Sequence, residues 1–146
     1  MIISLQHVTV DNYEAICDLS VSTVQRNYVA SNMFSLVEAS FNPGYQTRAI
    51  YLGNEPVGFM MWLMQQAGKM EIWRFMVDHK FQQQGIGRIA FGLALAEIRQ
   101  QPGLCCIEIC YNPDNPLAKA FYASFGFVET GMDAENEDML ALLLCE

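Results

Sequence analysis

The chain has 146 residues, 52% of them hydrophobic, and a formal net charge of −8 with only eight Lys and Arg. That length suits a single domain over residues 1–146 with a sizeable core, and the apolar content excludes a disordered chain. The charge weighs against nucleic acid and anionic membrane as partners; it favours a cationic ligand only if the carboxylates gather in one place, and solubility is the plainer reading.

No apolar run reaches membrane-spanning length and no basic segment with an apolar run opens the chain, so a cytoplasmic location is expected. The cysteines Cys17, Cys105, Cys106, Cys110 and Cys145 show no C-x-x-C spacing, and His7 and His79 stand far apart. Reduced, mostly buried thiols and no metal site are therefore expected.

In chain order, residues 2–8 are apolar and β-branched and predict a strand. Asp11 offers an N-cap with Glu14 in the capping-box position, opening a helix that faces inward through Ala15, Ile16 and Leu19. Met33, Leu36, Val37 and Ser40 predict a second helix, ended by Asn42-Pro43-Gly44, in a region that also holds Tyr28 and Glu38. Residues 46–52 and 57–64 predict a hairpin around Gly53-Asn54-Glu55-Pro56. Residues 65–69, with Gly68, lead into a central strand, Glu71-Ile72-Trp73-Arg74-Phe75-Met76-Val77.

After a loop, residues 86–99 lack Pro, are rich in Ala and Leu, and predict a helix. Its faces Ile86, Ala90, Leu93 and Phe91, Leu95, Ile98 leave few polar positions, so cover on both sides is expected. Residues 104–111 predict a strand that a βαβ crossover sets parallel to the central one. In Asn112-Pro113-Asp114-Asn115-Pro116, Asn115 is a natural N-cap and Pro116 suits the first turn of a short helix over residues 117–125, closed by Gly126. Residues 127–130 and the unusually apolar 137–145 predict two more strands, the last buried inside the sheet.

The stretch that carries chemistry is Gln82-Gln83-Gln84-Gly85-Ile86-Gly87-Arg88, between the central strand and the long helix. Glycines let the loop backbone turn its N–H groups toward one point, and the helix start adds unpaired N–H groups and positive dipole: an anion site, most naturally for a pyrophosphate. No Gly-Lys-Ser/Thr follows, so it is not a Walker A loop. Gly85, Gly87 and Ala90, with Glu108 downstream, formally match the dinucleotide fingerprint G-x-G-x-x-A. Yet residues 78–84 separate the glycines from the strand, and Glu108 sits inside an apolar strand. An ordinary glycine loop is the plain alternative. Gln82, Gly85 and Gly87 also meet the pattern Q/R-x-x-G-x-G/A, and here the chain resembles the pyrophosphate loop of the GNAT superfamily of N-acetyltransferases.

A second stretch strengthens that resemblance. Asn115, Ala118, Tyr122, Gly126 and Phe127 match the GNAT signature N-x-x-A-x-x-x-Y-x-x-x-G-F, in the right order after the first motif and with a strand between. The resemblance implies an α/β, GNAT-type fold: a mixed, mostly antiparallel sheet with a central parallel strand pair, flanked by helices. It implies acetyl-CoA as cosubstrate, with the pyrophosphate on Gln82, Gln83, Gln84, Gly85, Ile86, Gly87 and Arg88. The pantetheine arm would pair like an extra strand with Phe75, Met76 and Val77. A backbone N–H of the central strand would stabilise the oxyanion.

By the same resemblance Tyr122 would protonate the departing thiolate; without it, a core aromatic is the simpler reading. Asn115 would bond pantetheine or merely cap its helix, and Lys80, Arg88 and Lys119 are the cations open to the phosphates. An alkylamine acceptor, with pKa about 10, must lose a proton before attack. Glu71 is the candidate base, directly or through water, with a solvated strand-end carboxylate as the alternative. Several family members carry a carboxylate nearer mid-strand, where this chain has Trp73 and Arg74, and many have Gly at the position of Gln83.

The nearest resemblance within the superfamily is to bacterial spermine/spermidine (diamine) acetyltransferases. It rests on Arg74-Phe75-Met76-Val77-Asp78 with Phe81-Gln82, and on Ala49-Ile50-Tyr51 with Val57-Gly58-Phe59. It implies a small-molecule amine acceptor, which Glu14, Asp18 and Glu38 would line unless they are solvated helix faces. The alternatives are another small amine, a peptide N-terminus, a CoA-binding module without turnover, or a dinucleotide-binding domain. The oligomeric state stays open, with a homodimer among the options.

Overall fold

In the computed structural model, which describes residues 1–22 and 30–145, strand alternation and Gly-containing turns build one seven-stranded mixed sheet. The strands are β1 (Ile3–Gln6), β2 (Gln46–Leu52), β3 (Glu55–Gln66), β4 (Lys69–Val77), β5 (Cys106–Tyr111), β6 (Val128–Met132) and β7 (Met139–Leu144). Their spatial order is β1-β2-β3-β4-β5-β7-β6. Only β4 and β5 run parallel; every other neighbouring pair is antiparallel. The apolar β7 inserts between β5 and β6, as its composition predicts. Tyr28 lies outside the described residues.

The helices among the described residues are α1 (Tyr13–Asp18), α2 (Asn32–Phe41), α3 (Ile86–Ile98) and α4 (Ala118–Ala123). They divide between the faces of the sheet. Ile86, Ala90, Phe91, Ala94, Leu95 and Ile98 of α3 pack with Ile72, Val77, Ile107 and Ile109 in one apolar cluster. On the other face Ile16 of α1 packs with Ala49, Phe59, Met61 and Met76, joined by Leu36 and Ala39 of α2.

Several expectations are corrected here. Asn12, not Asp11, stands at the N-cap of α1, and no side chain caps it. Asn12 instead accepts from Thr9 N and donates to His7 O and Tyr51 Oη, so its amide ties the helix start to β2. Ala15 is exposed. On α2 it is Asn32 and Ser35 that are buried, while Met33 and Val37 face outward. Asn32 is affordable inside because its amide donates to Ile16 O at 2.9 Å. α3 buries one broad face rather than two, leaving Ile89 and Leu93 exposed. None of the five free cysteines is fully buried, and Cys105 is exposed.

Two local devices shape the middle of the sheet. Met61 pairs with Arg74 but Trp62 pairs with Ile72, so Trp73 is an extra residue in β4, a β-bulge. Gly58 of β3 meets β4 closely: a Cβ there would lie 2.5 Å from the backbone oxygen of Met76. Backbone cannot swing aside as a side chain can. Gly58→Ala should therefore lower stability by about 1–3 kcal/mol. Gly92→Ala, in α3 with nothing within 4 Å of its added Cβ, should raise it by about 0.5–1 kcal/mol. Urea unfolding midpoints of the two variants check both signs.

Candidate active site

The site is organised by a place where two strands part. β4 and β5 are paired only from Lys69↔Cys106 to Ile72↔Ile109. Beyond Ile72, β4 continues through Val77 and stays bonded to β3 on its other side. Residues 73–77 therefore present a backbone edge toward a wedge between β4 and the end of β5. Side chains already serve two of its carbonyls, Arg74 bonding Trp73 O and Gln82 bonding Val77 O; the rest of the edge offers backbone groups that an extended, amide-bearing chain could pair with. Phe75, Met76 and Val77 lie on it. Phe75 and Val77 face the α3 side, and Met76 faces the α1 and α2 side.

The loop after β4 is pinned from below. Asp78 is buried; its N–H donates to Val57 O, and its carboxylate accepts from Ser20 N and Lys80 N. Gln82 turns its amide back onto Val77 O at 2.9 Å. Gln83, where many GNAT loops carry glycine, adopts φ +62°. A left-handed conformation is uncommon for a side-chain-bearing residue, so a backbone that favours glycine is retained here without one. Gly85, at φ +83°, is the N-cap of α3, and no atom lies within 4 Å of where its Cβ would be. Gly87, in the first turn, faces Phe75 and Val77. Gln84, Gly85, Ile86, Gly87 and Arg88 thus carry the backbone from the end of the wedge into a helix N-terminus with open space beside it. That arrangement fits a pyrophosphate.

Aromatic rings wall the wedge on the α3 side. Phe91 meets Phe75 at 5.3 Å, Phe125 at 4.9 Å and Tyr122 at 5.4 Å between centroids. Tyr122 stacks on Tyr111 at 5.6 Å. Burial pushes its phenol above the ordinary range, with Cys110 and Tyr111 adding to the shift, so it is protonated at neutral pH. The Arg88 guanidinium lies over Phe121 and Phe125, and Lys119 pairs with Glu129 at 3.6 Å. Asn115 Oδ1 accepts from Leu117 N, so its side chain organises the turn before α4 while the helix itself starts at Ala118.

On the opposite face lies an acidic cleft of about 840 Å3, lined by Gln65, Lys69, Glu71, Trp73, Arg74, Glu108, Cys110, Asp133, Asn136, Asp138 and Leu140. Strand alternation puts Glu71 beside Glu108, its register partner across the parallel ladder, and both are buried. Burial first, then the Glu108 charge, push the Glu71 carboxyl up to about 7. The Cys110 thiol is pushed up to about 12 by burial and by Glu71, Asp138 and Glu108. Cys110 thus shares an electrostatic neighbourhood with Glu71 on one side and Tyr122 on the other, where the wedge joins the two faces.

The bulge at Trp73 breaks alternation, so that Trp73 and Arg74 both reach Glu38 of α2, at 2.8 and 3.3 Å. The buried Arg74 Nε has no partner among the described residues. Of the carboxylates expected around an amine, only Glu38 stands beside this cleft. Asp18 lines a separate cleft with Cys17, Asn32 and Met76, and Glu14 is exposed on α1. The sequence placed Glu108 only as a downstream match to a dinucleotide fingerprint, and it gave no place in a site to Asp133 or Asp138. A carboxylate inside an apolar strand, two residues before Cys110, was the available signal for Glu108. Asp133 and Asp138 had none, because the β6–β7 turn reaches the cleft only through the strand order.

Among the described residues no group of three or more His, Cys, Asp or Glu is placed to hold a metal ion, and no helix is long and apolar enough to cross a membrane. The chain is similar to the spermine/spermidine N(1)-acetyltransferase of Bacillus subtilis (strain 168), with 27% identity over 96% of this chain and 97% of that protein. Two solved structures share the fold. Spermidine N-acetyltransferase from Vibrio cholerae, in complex with CoA and spermine, matches at TM-score 0.79 and 16% identity over 97% of this chain and 95% of the other. The ribosomal-protein-S18-alanine N-acetyltransferase from Escherichia coli matches at TM-score 0.74 and 15% identity, over 98% and 94%. The sequence profile of the acetyltransferase (GNAT) family matches residues 8–127. The wedge, the loop and that match over most of the chain lead to one conclusion: the protein belongs to the acetyltransferase (GNAT) family.

Proposed function

We propose that this protein transfers acetyl from acetyl-CoA to a primary amine, by direct attack of the amine on the thioester, and that the acceptor is a polyamine such as spermidine or spermine. The observation that carries the acceptor is the acidic cleft: Glu71, Glu108, Asp133 and Asp138 outnumber Lys69 and Arg74 in one cavity that reaches the end of the paired β4–β5 ladder. The likeness to a spermine/spermidine acetyltransferase over nearly the whole chain supports it. The acceptor of the Escherichia coli neighbour, a ribosomal-protein alanine, defines the competing class of peptide N-termini.

Acetyl-CoA supplies an activated acyl group and a thiolate leaving group. The residues do the rest. Backbone N–H groups of Gln82, Gln83, Gln84, Gly85, Ile86, Gly87 and Arg88 hold the pyrophosphate. The free edge at Phe75, Met76 and Val77 holds the pantetheine amides, Asn115 adds a polar side chain for them, and Arg88 and Lys119 add positive charge. A backbone N–H of β4 faces the thioester oxygen. Glu71, poised near neutrality, takes the proton that an ammonium must lose. Tyr122, kept protonated, donates to the leaving sulfur. Cys110 stays a thiol at neutral pH, which supports direct attack over an acetyl-cysteine route.

Three outcomes test this reading. Thiol release from acetyl-CoA should be fastest with polyamines in a panel that includes amino acids, aminoglycosides and peptides, and the acceptor KM should rise with ionic strength as screening weakens the attraction. A salt-independent KM, or preference for a neutral acceptor, removes the polyamine. Thermal protection by CoA without thiol release would leave a binding module.

If Glu71 is the base, kcat/KM falls as pH drops through about 7, where its carboxyl takes a proton. Glu71→Gln should then lower the plateau about 10²–10⁴-fold and abolish that limb. A pH–rate profile of each protein decides.

Tyr122→Phe keeps the ring among Phe91, Tyr111 and Phe121 and deletes only the hydroxyl. The fold and KM for acetyl-CoA should hold while the chemical step slows about 10²–10⁴-fold, as for an interaction made mainly in the transition state. Single-turnover rates check it; a loss under about tenfold leaves Tyr122 a packing residue.

A further inference from the structure

The Glu71 carboxylate is held by an arrangement more specific than burial. Gln65 extends from the end of β3, and its Nε2 donates to Glu71 Oε1 at 3.1 Å and to Glu108 Oε1 at 3.2 Å. One amide thus ties together two carboxylates that the parallel register already sets side by side. The second oxygen of Glu108 is taken by Lys69 Nζ at 3.1 Å. Both oxygens of Glu108 are therefore engaged, by a cation and an amide, while among the described residues Glu71 has a hydrogen bond on one oxygen only, from the same amide. The two carboxylates are not equivalent.

We propose that Glu108, fixed by Lys69 and Gln65, is a positioning residue that acts through Glu71, orienting its carboxylate toward the cleft and setting the pH at which it takes a proton. This rests on Glu71 as the base. Its physics is that of two carboxylates sharing one buried place: like charges that close cannot both ionise freely, and Glu71, the one without the close cation, becomes the proton acceptor near neutrality. Lys69 decides which is which.

The other charges around Glu71 do not duplicate this role. Arg74, on the same strand, is engaged with Glu38 of α2. Cys110 of β5 is an uncharged thiol. Asp133 and Asp138, on the β6–β7 turn, add negative charge from the far wall; Asp133 ranks behind Glu108 and Lys69 in its effect on Glu71. Gln65 belongs to the device because it restrains both carboxylates at once. Without its bond Glu71 is free to rotate and its charge is less stabilised.

The sign of each substitution follows. Glu108→Gln keeps shape and removes a negative charge, so Glu71 should ionise at lower pH, by about one unit or more. Lys69→Met removes the compensating cation, so Glu71 should ionise at higher pH. The direct measurement is a carboxyl-carbon NMR titration of the free protein, with the Glu71 signal identified by its loss in Glu71→Gln. The acid limb of kcat/KM should move in the same two directions. Opposite shifts support the device, since a merely structural role would move both variants alike or neither. Limbs and titrations that stay in place, or move together, overturn it. If Glu108→Gln fails to fold, the upward shift in Lys69→Met alone decides. A parent profile unchanged by Glu71→Gln would instead remove Glu71 as the base, while the titration would still report whether Glu108 and Lys69 set its ionisation.

Discussion

The structure depends on one interrupted ladder. β4 is bonded to β3 along its length but to β5 only from Lys69 to Ile72. A strand edge in the middle of a sheet is costly unless something completes it, because the N–H and C=O groups it exposes are strong, obligatory hydrogen-bonding groups. Elsewhere such an edge invites aggregation. Here the aromatic cluster of Phe75, Phe91, Phe121 and Tyr122 keeps the strands apart on one side, and the bulge at Trp73 bends β4 on the other. The loop that follows β4 is tied by Asp78 to Val57 and Ser20, so the wedge and the start of α3 are held in one frame. Each part has an apolar or hydrogen-bonded reason to be where it is before any ligand arrives. Such preorganisation lowers the ordering cost of binding.

How much of this was legible in the sequence follows from what kind of interaction fixes each part. The strands, their punctuation by Gly53, Gly68 and Gly126, and the parallel pair were legible, because local propensity and the βαβ rule act at short range. So was the insertion of β7, from its continuous apolar run. The inner face of α1 was legible in part, with Ile16 buried and Leu19 packed beside it but Ala15 exposed; that of α2 was not. Their few apolar residues are divided between inside and outside, and Asn32 is buried because a distant carbonyl, Ile16 O, satisfies it. The bulge at Trp73 left no local mark, and it decides that Trp73 and Arg74 both turn to Glu38. The loop and the helix that carries Tyr122 were legible as elements because each is contiguous in sequence. The acidic cleft was not, since it gathers residues 65, 71, 108 and 133–138 from four parts of the chain, and only strand order and register bring them together.

The two halves of the site are therefore unlike in origin and in physics. The side facing α3 and α4 is built from glycines, a helix start and rings, and it offers backbone N–H groups and a phenol. The side facing α2 is built from buried carboxylates, where low dielectric makes each charge sensitive to the next. Cys110, near the end of β5, lies between them, and the Glu71, Asp138 and Glu108 carboxylates help keep it an uncharged thiol. On the roles proposed above, the proton taken by Glu71 and the one given by Tyr122 belong to separate groups with separate environments. If the cleft receives the acceptor as proposed, its carboxylates can change to suit another amine while the loop and the free edge of β4 stay as they are. In this fold that separation follows from strand alternation alone, because Glu71 and Glu108 point to one face of the sheet and Ile72 and Ile109 to the other.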